Sequence, residues 1–130
     1  MSPDQIASVR SVVDEIGAHP DFASRFYRRL FEQRPDAELL FADVERQQRA
    51  LTAELGAMVS LLDDVGHLDE RARALGARHR SFGVRAKDYR VAREALVDTL
   101  DEVLGDGFGP AEREAWTLAS SLITELMQSG

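Results

Sequence analysis

Residues 71–83 have the sequence RARALGARHRSFG, and this stretch does more than any other to decide the fold. Ala72, Leu75, His79 and Phe82 follow one another at intervals of three or four residues. That spacing puts side chains on one face of an α-helix. Gly83 then supplies a residue type that commonly ends helices. The stretch therefore predicts an amphipathic helix that carries one histidine on its apolar face.

The sequence on either side of this helix has the same period. Apolar residues recur at helical spacing, and no segment alternates with the period of two that a half-buried strand would show. Ser2 and Pro3 begin the first helix, and Gly105 ends the sixth predicted piece. We predict an all-α fold in a single domain of residues 1–130, with about seven helical pieces: 3–16, 20–34, 36–41, 44–62, 69–82, 88–104 and 110–126.

The composition excludes several classes of protein. A chain of 130 residues with 44% apolar and 30% charged residues can form a hydrophobic core, so disorder is not expected. The absence of cysteine excludes disulfides and cysteine-ligated metals. No apolar run is long enough to cross a membrane, and the first residues lack the charged flank and apolar block of a signal peptide. We therefore expect a cytoplasmic protein with no membrane partner.

Charge is distributed unevenly along the chain. The net charge of −7 argues against a general nucleic-acid-binding protein. Residues 71–93 nevertheless contain eight basic residues and one acidic residue, so this segment carries +7 and the rest carries −14. Most such segments are solvated faces. The other interpretation is a site for an anionic group beside this stretch.

The three histidines differ in their surroundings. His19 precedes Pro20 and His67 follows Gly66, so both are expected in surface turns. His79 lies on an apolar stripe, where most histidines are core residues with a satisfied hydrogen bond. An imidazole in an apolar slot is also the axial ligand that a haem iron requires. His79 is therefore the only histidine that we single out as a candidate iron ligand.

A second stripe could form the opposite wall of such a slot. The predicted helix 44–62 has a single polar member on its apolar face, which otherwise contains leucine and methionine. The stripe consists of Gln47, Leu51, Leu55, Met58 and Leu62.

The chain resembles the globin family, and in particular bacterial single-domain haemoglobins and the globin domain of flavohaemoglobins. The resemblance covers nearly the whole sequence, in order and at close to the family's spacing. It is carried by the runs Phe26-Tyr27-Arg28-Arg29-Leu30-Phe31, Pro35, Leu40-Phe41, Leu75-Gly76-Ala77-Arg78-His79, Gly83-Val84, Tyr89, Val103-Leu104-Gly105, Phe108, Ala115-Trp116 and Met127.

The resemblance implies a globin fold around haem b, with His79 as the proximal ligand of the iron. Tyr27 and Gln47 match the distal polar residues of the family. Gln48 competes with Gln47, although Gln48 lies off the apolar stripe. The remaining residues expected to contact the haem are Phe41, Leu51, Leu75, Phe82, Val84 and Tyr89.

Four features depart from the family or stay open. The connection between Phe41 and Gln47 is short, and Asp88 stands where relatives often have histidine. The sequence given ends before the position of the glutamate that flavohaemoglobins use to polarise the proximal histidine. Arg80 or Arg49 could bind the haem propionates, and the sequence does not decide between them.

Three classes of function are compatible with these features. The first is reversible binding of oxygen and other diatomic gases, including carbon monoxide and nitric oxide, for oxygen transport or storage. The second is nitric oxide dioxygenase or peroxidase-like activity with a separate reductase, because this sequence contains no flavin or nicotinamide domain. The third is a gas-sensor module of the globin type. His79, Phe41 and Tyr27 together argue against a version of that module without haem.

Overall fold

The computed structural model describes residues 1–40 and 43–129, and all regular structure in these ranges is helical. Six α-helices and two short 3-10 helices account for it, which confirms the predicted all-α fold. The 3-10 helix Pro35–Leu40 corresponds to the short piece predicted at 36–41. The α-helices are α1 (Pro3–Ile16), α2 (Phe22–Gln33), α3 (Val44–Ser60), α4 (Val65–Ser81), α5 (Ala86–Leu104) and α6 (Pro110–Gln128).

Local signals explain several of the helix ends. The Ser2 hydroxyl accepts a hydrogen bond from the Gln5 N–H, and the Gln5 side chain accepts one from the Ser2 N–H. This pair of bonds satisfies donors that would otherwise be free at the start of α1. Gly105 follows α5 with a φ of +54°, a left-handed conformation that glycine adopts most readily. Pro110 occupies the first turn of α6.

Two predicted helix starts are wrong. Helix α4 begins at Val65 rather than near residue 69, because the Asp64 carboxylate accepts a hydrogen bond from the His67 N–H at 3.4 Å. Helix α5 begins at Ala86 rather than at 88. The predicted cap, Asp88, lies within its first turn and accepts a 2.9 Å hydrogen bond from the Arg85 N–H.

The helices pack around a core that includes Trp116, Phe22, Ile16, Leu68 and Leu100. Helix α2 packs on α5, and α1 packs on α3 and α6, while α4 crosses α6 closely.

The α4–α6 crossing depends on one glycine. Gly76 is buried, and a Cβ atom built on it would overlap the backbone carbonyl of Met127. Any other residue type at position 76 would push the two helices apart.

Within the described ranges, no helix is both long enough and apolar enough to span a bilayer.

Candidate functional site

A cavity of about 200 Å³ lies between α2, α3, α4, α5 and α6. Its walls are formed mainly by apolar side chains, among them Phe26, Leu30, Leu51, Leu55, Met58, Leu75, Val84, Ala92, Leu96 and Ile123. Polar and charged side chains interrupt this lining at separate points. A pocket that is largely apolar with a few placed polar groups is typical of a site for a small molecule or cofactor.

His79 supplies the polar group on the α4 wall. Its Nδ1 lies 2.8 Å from the backbone carbonyl oxygen of Leu75. Because a carbonyl only accepts hydrogen bonds, Nδ1 carries the proton, and the lone pair of the imidazole is on Nε2. Burial lowers the pKa of His79, more than the Leu75 carbonyl raises it. The residue is therefore a neutral imidazole with one free nitrogen, which is the form that binds metals.

Tyr89 of α5 contacts the His79 ring, and Val84 contacts the His79 backbone. The rings of His79 and Tyr89 stack with centroids 6.2 Å apart and planes 29° apart. The Val84 N–H donates a 3.1 Å hydrogen bond to the His79 carbonyl. The Tyr89 hydroxyl is buried and has no hydrogen-bond partner among the described residues. Desolvation raises the pKa of Tyr89, so the hydroxyl keeps its proton at neutral pH.

Tyr27 and Gln47 line the same cavity from α2 and α3. Burial raises the pKa of Tyr27 to about 12, so its hydroxyl stays protonated and can donate a hydrogen bond. The Tyr27 ring packs edge-on against Phe26 with centroids 5.0 Å apart.

The two candidate glutamines lie on different surfaces of α3. Gln47 lines the cavity that contains His79. Gln48 and Arg49 line a second cavity, next to His19 and the end of α1. The second candidate for the propionates, Arg80, donates a 3.1 Å hydrogen bond to the Met127 carbonyl in the α4–α6 contact.

Phe82 does not reach the cavity, contrary to the expectation from the sequence. It follows the last residue of α4 and is 63% exposed. Because α4 ends at Ser81, the helical spacing that places Leu75 and His79 inward does not extend to Phe82. Phe41, the other aromatic residue expected at the haem, lies outside the described residues.

Two ion pairs at the cavity are not predicted by the sequence analysis. Glu54 accepts hydrogen bonds from the Nε and Nη2 atoms of Arg71 at 3.1 and 3.0 Å, which links α3 to α4. Glu54 follows Leu51 by three residues, so helical spacing could have placed it on the cavity face. Arg34 and Asp88 form a 2.7 Å ion pair in which the carboxylate side chain is only 14% exposed. These two residues are far apart in the chain, and no local pattern connects them.

A family model described as Globin matches residues 24–127. The flavohemoprotein of Bacillus subtilis is 26% identical over 92% of this chain, and that of Bordetella pertussis is 28% identical over 98%. The matched parts are 31% and 33% of those two proteins, so the chain spans about a third of their length.

A solved structure gives the same result at the level of the fold. It is an engineered carbene transferase from Rhodothermus marinus that carries the name of a nitric oxide dioxygenase. The match has a TM-score of 0.88 and 28% sequence identity, and it covers 99% of this chain and 92% of the other.

Proposed function

This chain belongs to the globin family, and we propose on that basis that it binds haem b and reversibly binds oxygen and other diatomic gases. One observation carries the proposal. His79 lines an apolar cavity, and its Nδ1 donates to the Leu75 carbonyl, which leaves Nε2 available to an iron ion. When bound, the haem iron supplies the coordination site at which oxygen, carbon monoxide or nitric oxide is held.

The residues of the cavity fit this group. His79 would be the protein's ligand to the iron, and Leu51, Leu75 and Val84 would contact the porphyrin through apolar surface. Tyr89 would fix the plane of the imidazole by stacking on it. These side chains bind, orient and exclude water, while the cofactor supplies the chemistry.

Tyr27 and Gln47 would act on the gas ligand. Both residues line the cavity, and the raised pKa of Tyr27 keeps its hydroxyl a donor throughout the physiological range. A donor aimed at a ligand with partial negative charge is worth more in a pocket without water than at a surface. These donors would therefore stabilise bound oxygen more than bound carbon monoxide, which carries less charge.

Nitric oxide dioxygenation with a separate reductase is the second candidate. It is favoured by the flavohemoproteins among the relatives and by the name of the structural neighbour. Haem reduction by a partner, followed by oxygen-dependent loss of nitric oxide at catalytic rates, would distinguish this activity from gas carriage.

The absorption spectrum of the haem-reconstituted protein, ferric and then ferrous with carbon monoxide, tests the proposal. We expect a Soret band that shifts on reduction and on addition of carbon monoxide. His79→Ala should abolish stable haem binding, since no other described histidine lines the cavity. His67→Ala and His19→Ala are the matched controls and should leave the spectrum unchanged. Identical spectra for the wild type and His79→Ala would remove the ligand role from His79.

A further inference from the structure

The corner between α4 and α5 combines an exposed aromatic ring with a concentration of positive charge. Phe82 is 63% exposed, and Gly83 beside it adopts a φ of +90° that turns the chain back toward the protein. Residues 78–87 contain four basic residues and no acidic one: Arg78, Arg80, Arg85 and Lys87. A single exposed apolar residue is ordinary, but one flanked in sequence by several cations has the composition of an interface anchor with a charged rim.

The cations of this corner are available to a partner. Arg78, Arg85 and Lys87 are exposed, and none of them forms an ion pair with any residue in 1–40 or 43–129. Lys87 acts on Asp36 only at longer range, where it contributes less than Arg34 to the lowered pKa of that carboxyl. Arg71 and Arg73, by contrast, are paired with Glu54 and Asp69. The paired cations of the 71–93 segment therefore lie at its start, and the cations of the corner follow them in sequence.

This corner is directly connected to the candidate haem ligand. The backbone N–H groups of Phe82 and Val84 both donate 3.1 Å hydrogen bonds to the carbonyl of His79. Val84 lines the cavity while Phe82, two residues earlier, faces solvent. A protein bound at Phe82 would thus contact the same turn that contributes Val84 to the cavity wall.

We propose that the 78–87 corner is a docking surface for an acidic one-electron donor protein. The proposal rests on the haem site proposed above, because the haem would receive the electron. One electron would pass from the reduced flavin or iron–sulfur centre of the donor, which is oxidised, to ferric haem, which is reduced to ferrous, with no bond formed and no proton required. The charge of the corner is opposite to that of the remainder of the chain, which carries an excess of acidic residues. An acidic partner would be steered to this corner and repelled elsewhere.

An acidic plant-type ferredoxin is a suitable probe, because it is a soluble one-electron donor of low potential. Its affinity for the haem-loaded protein is measured by calorimetric titration, and the rate of haem reduction by stopped flow, each at low and high ionic strength. We expect binding at low ionic strength that weakens as salt is added. Arg85→Glu and Arg78→Glu should each weaken binding by about tenfold, as reversal of a rim charge opposite an acidic partner does. Phe82→Ser should weaken it by about tenfold or more, as loss of an interface anchor does.

Two matched controls lie elsewhere on the surface. Val65 is 65% exposed at the opposite end of α4, and Arg46 is an exposed cation at the start of α3 without an ion pair to a described residue. Val65→Ser and Arg46→Glu should leave both the affinity and the reduction rate unchanged.

The outcomes separate this proposal from that of the haem site. A wild-type protein without a Soret band would overturn the haem site. A normal carbon monoxide spectrum together with ferredoxin binding that neither salt nor Arg85→Glu affects would overturn the docking surface alone. Binding to phosphatidylglycerol vesicles, lost in Arg85→Glu and unaccompanied by ferredoxin binding, would identify a membrane-facing surface and would also refute the proposal. A shifted haem spectrum in Phe82→Ser would mean that Phe82 contacts the haem, and it would refute the role of Phe82 as an exposed anchor.

Discussion

The α4 wall and the α3 wall of the cavity are built in different ways. On α4, the candidate ligand His79 is held by its own helix, through the Leu75 carbonyl, and by the turn that follows, through Phe82 and Val84. On α3, Gln47 lies in the first turns of a helix, so its place on the cavity wall depends on where that helix begins. A site residue whose partners are within five positions can be recognised from local sequence. A site residue such as Gln47, whose position on the cavity wall depends on where its helix begins, can be assigned only with the tertiary structure.

The largest effect should come from the tightest contact of the α4 wall. Gly76→Ala places a methyl group against the Met127 backbone and should destabilise the protein by about 3 kcal/mol, as severe overpacking does. Gly56 on α3 is the matched control, because a Cβ there would meet only the Val13 side chain at 3.9 Å. Gly56→Ala should stabilise the protein by about 0.5–1 kcal/mol through helix propensity. Chemical denaturation measures both, and equal effects would mean that α4 and α6 do not cross at Gly76.

The next effect concerns the two tyrosines that line the cavity, Tyr27 from α2 and Tyr89 from α5. Tyr27→Phe should speed oxygen dissociation about tenfold, because a hydrogen bond to a partly charged ligand contributes about 1–2 kcal/mol and 1.4 kcal/mol is one decade. Tyr89→Phe makes the same chemical change beside His79 and should alter oxygen release much less. Stopped-flow measurement of oxygen release compares them. If Tyr27→Phe releases oxygen at the wild-type rate, this hydroxyl does not contact the ligand.

Much of the fold follows from short-range signals, and the exceptions have identifiable causes. The capping bonds of Ser2 and the left-handed Gly105 lie within a few residues of the helix ends that they determine. The sequence predicts a surface turn at Gly66 and His67, whereas the Asp64 carboxylate caps α4 before both of them. The helical period predicts that Phe82 faces the cavity, but the helix ends at Ser81, so the period does not reach Phe82.

The site divides in the same way. Helical period points to His79, and the globin resemblance adds Tyr27 and Tyr89; all three line the cavity. The Arg34–Asp88 pair joins α5 to the residue after α2, and nothing in either segment specifies the other. Contacts of this kind depend on how the helices are arranged, and periodicity contains no information about that arrangement.

A smaller effect should distinguish the neighbouring glutamines of α3. Gln47→Leu should speed oxygen dissociation by a few-fold, and Gln48→Leu should not change it, because only Gln47 lines the cavity with His79. The double variant Tyr27→Phe/Gln47→Leu should change the rate by less or more than the product of the single changes, since both groups would donate to one acceptor. A larger effect from Gln48→Leu than from Gln47→Leu would mean that Gln48, one residue further along α3, contacts the ligand instead of Gln47.

The smallest effect should come from the Glu54–Arg71 ion pair, which joins the two walls. Glu54 and Arg71 form two hydrogen bonds, yet their side chains are 25% and 47% exposed, so water and salt weaken the attraction between them. A double-mutant cycle with Glu54→Gln and Arg71→Gln should give a coupling energy of about 0.5 kcal/mol, and this energy should fall further at high ionic strength. Arg73 and Asp69 form a pair of similar exposure within α4 alone, so Asp69→Asn with Arg73→Gln is the matched cycle. If only the Glu54–Arg71 cycle also changes the haem dissociation rate, the pair positions α3 against α4 around the cofactor. If neither cycle changes it, each wall is held by its own packing and the pair is a surface contact without a role in the site.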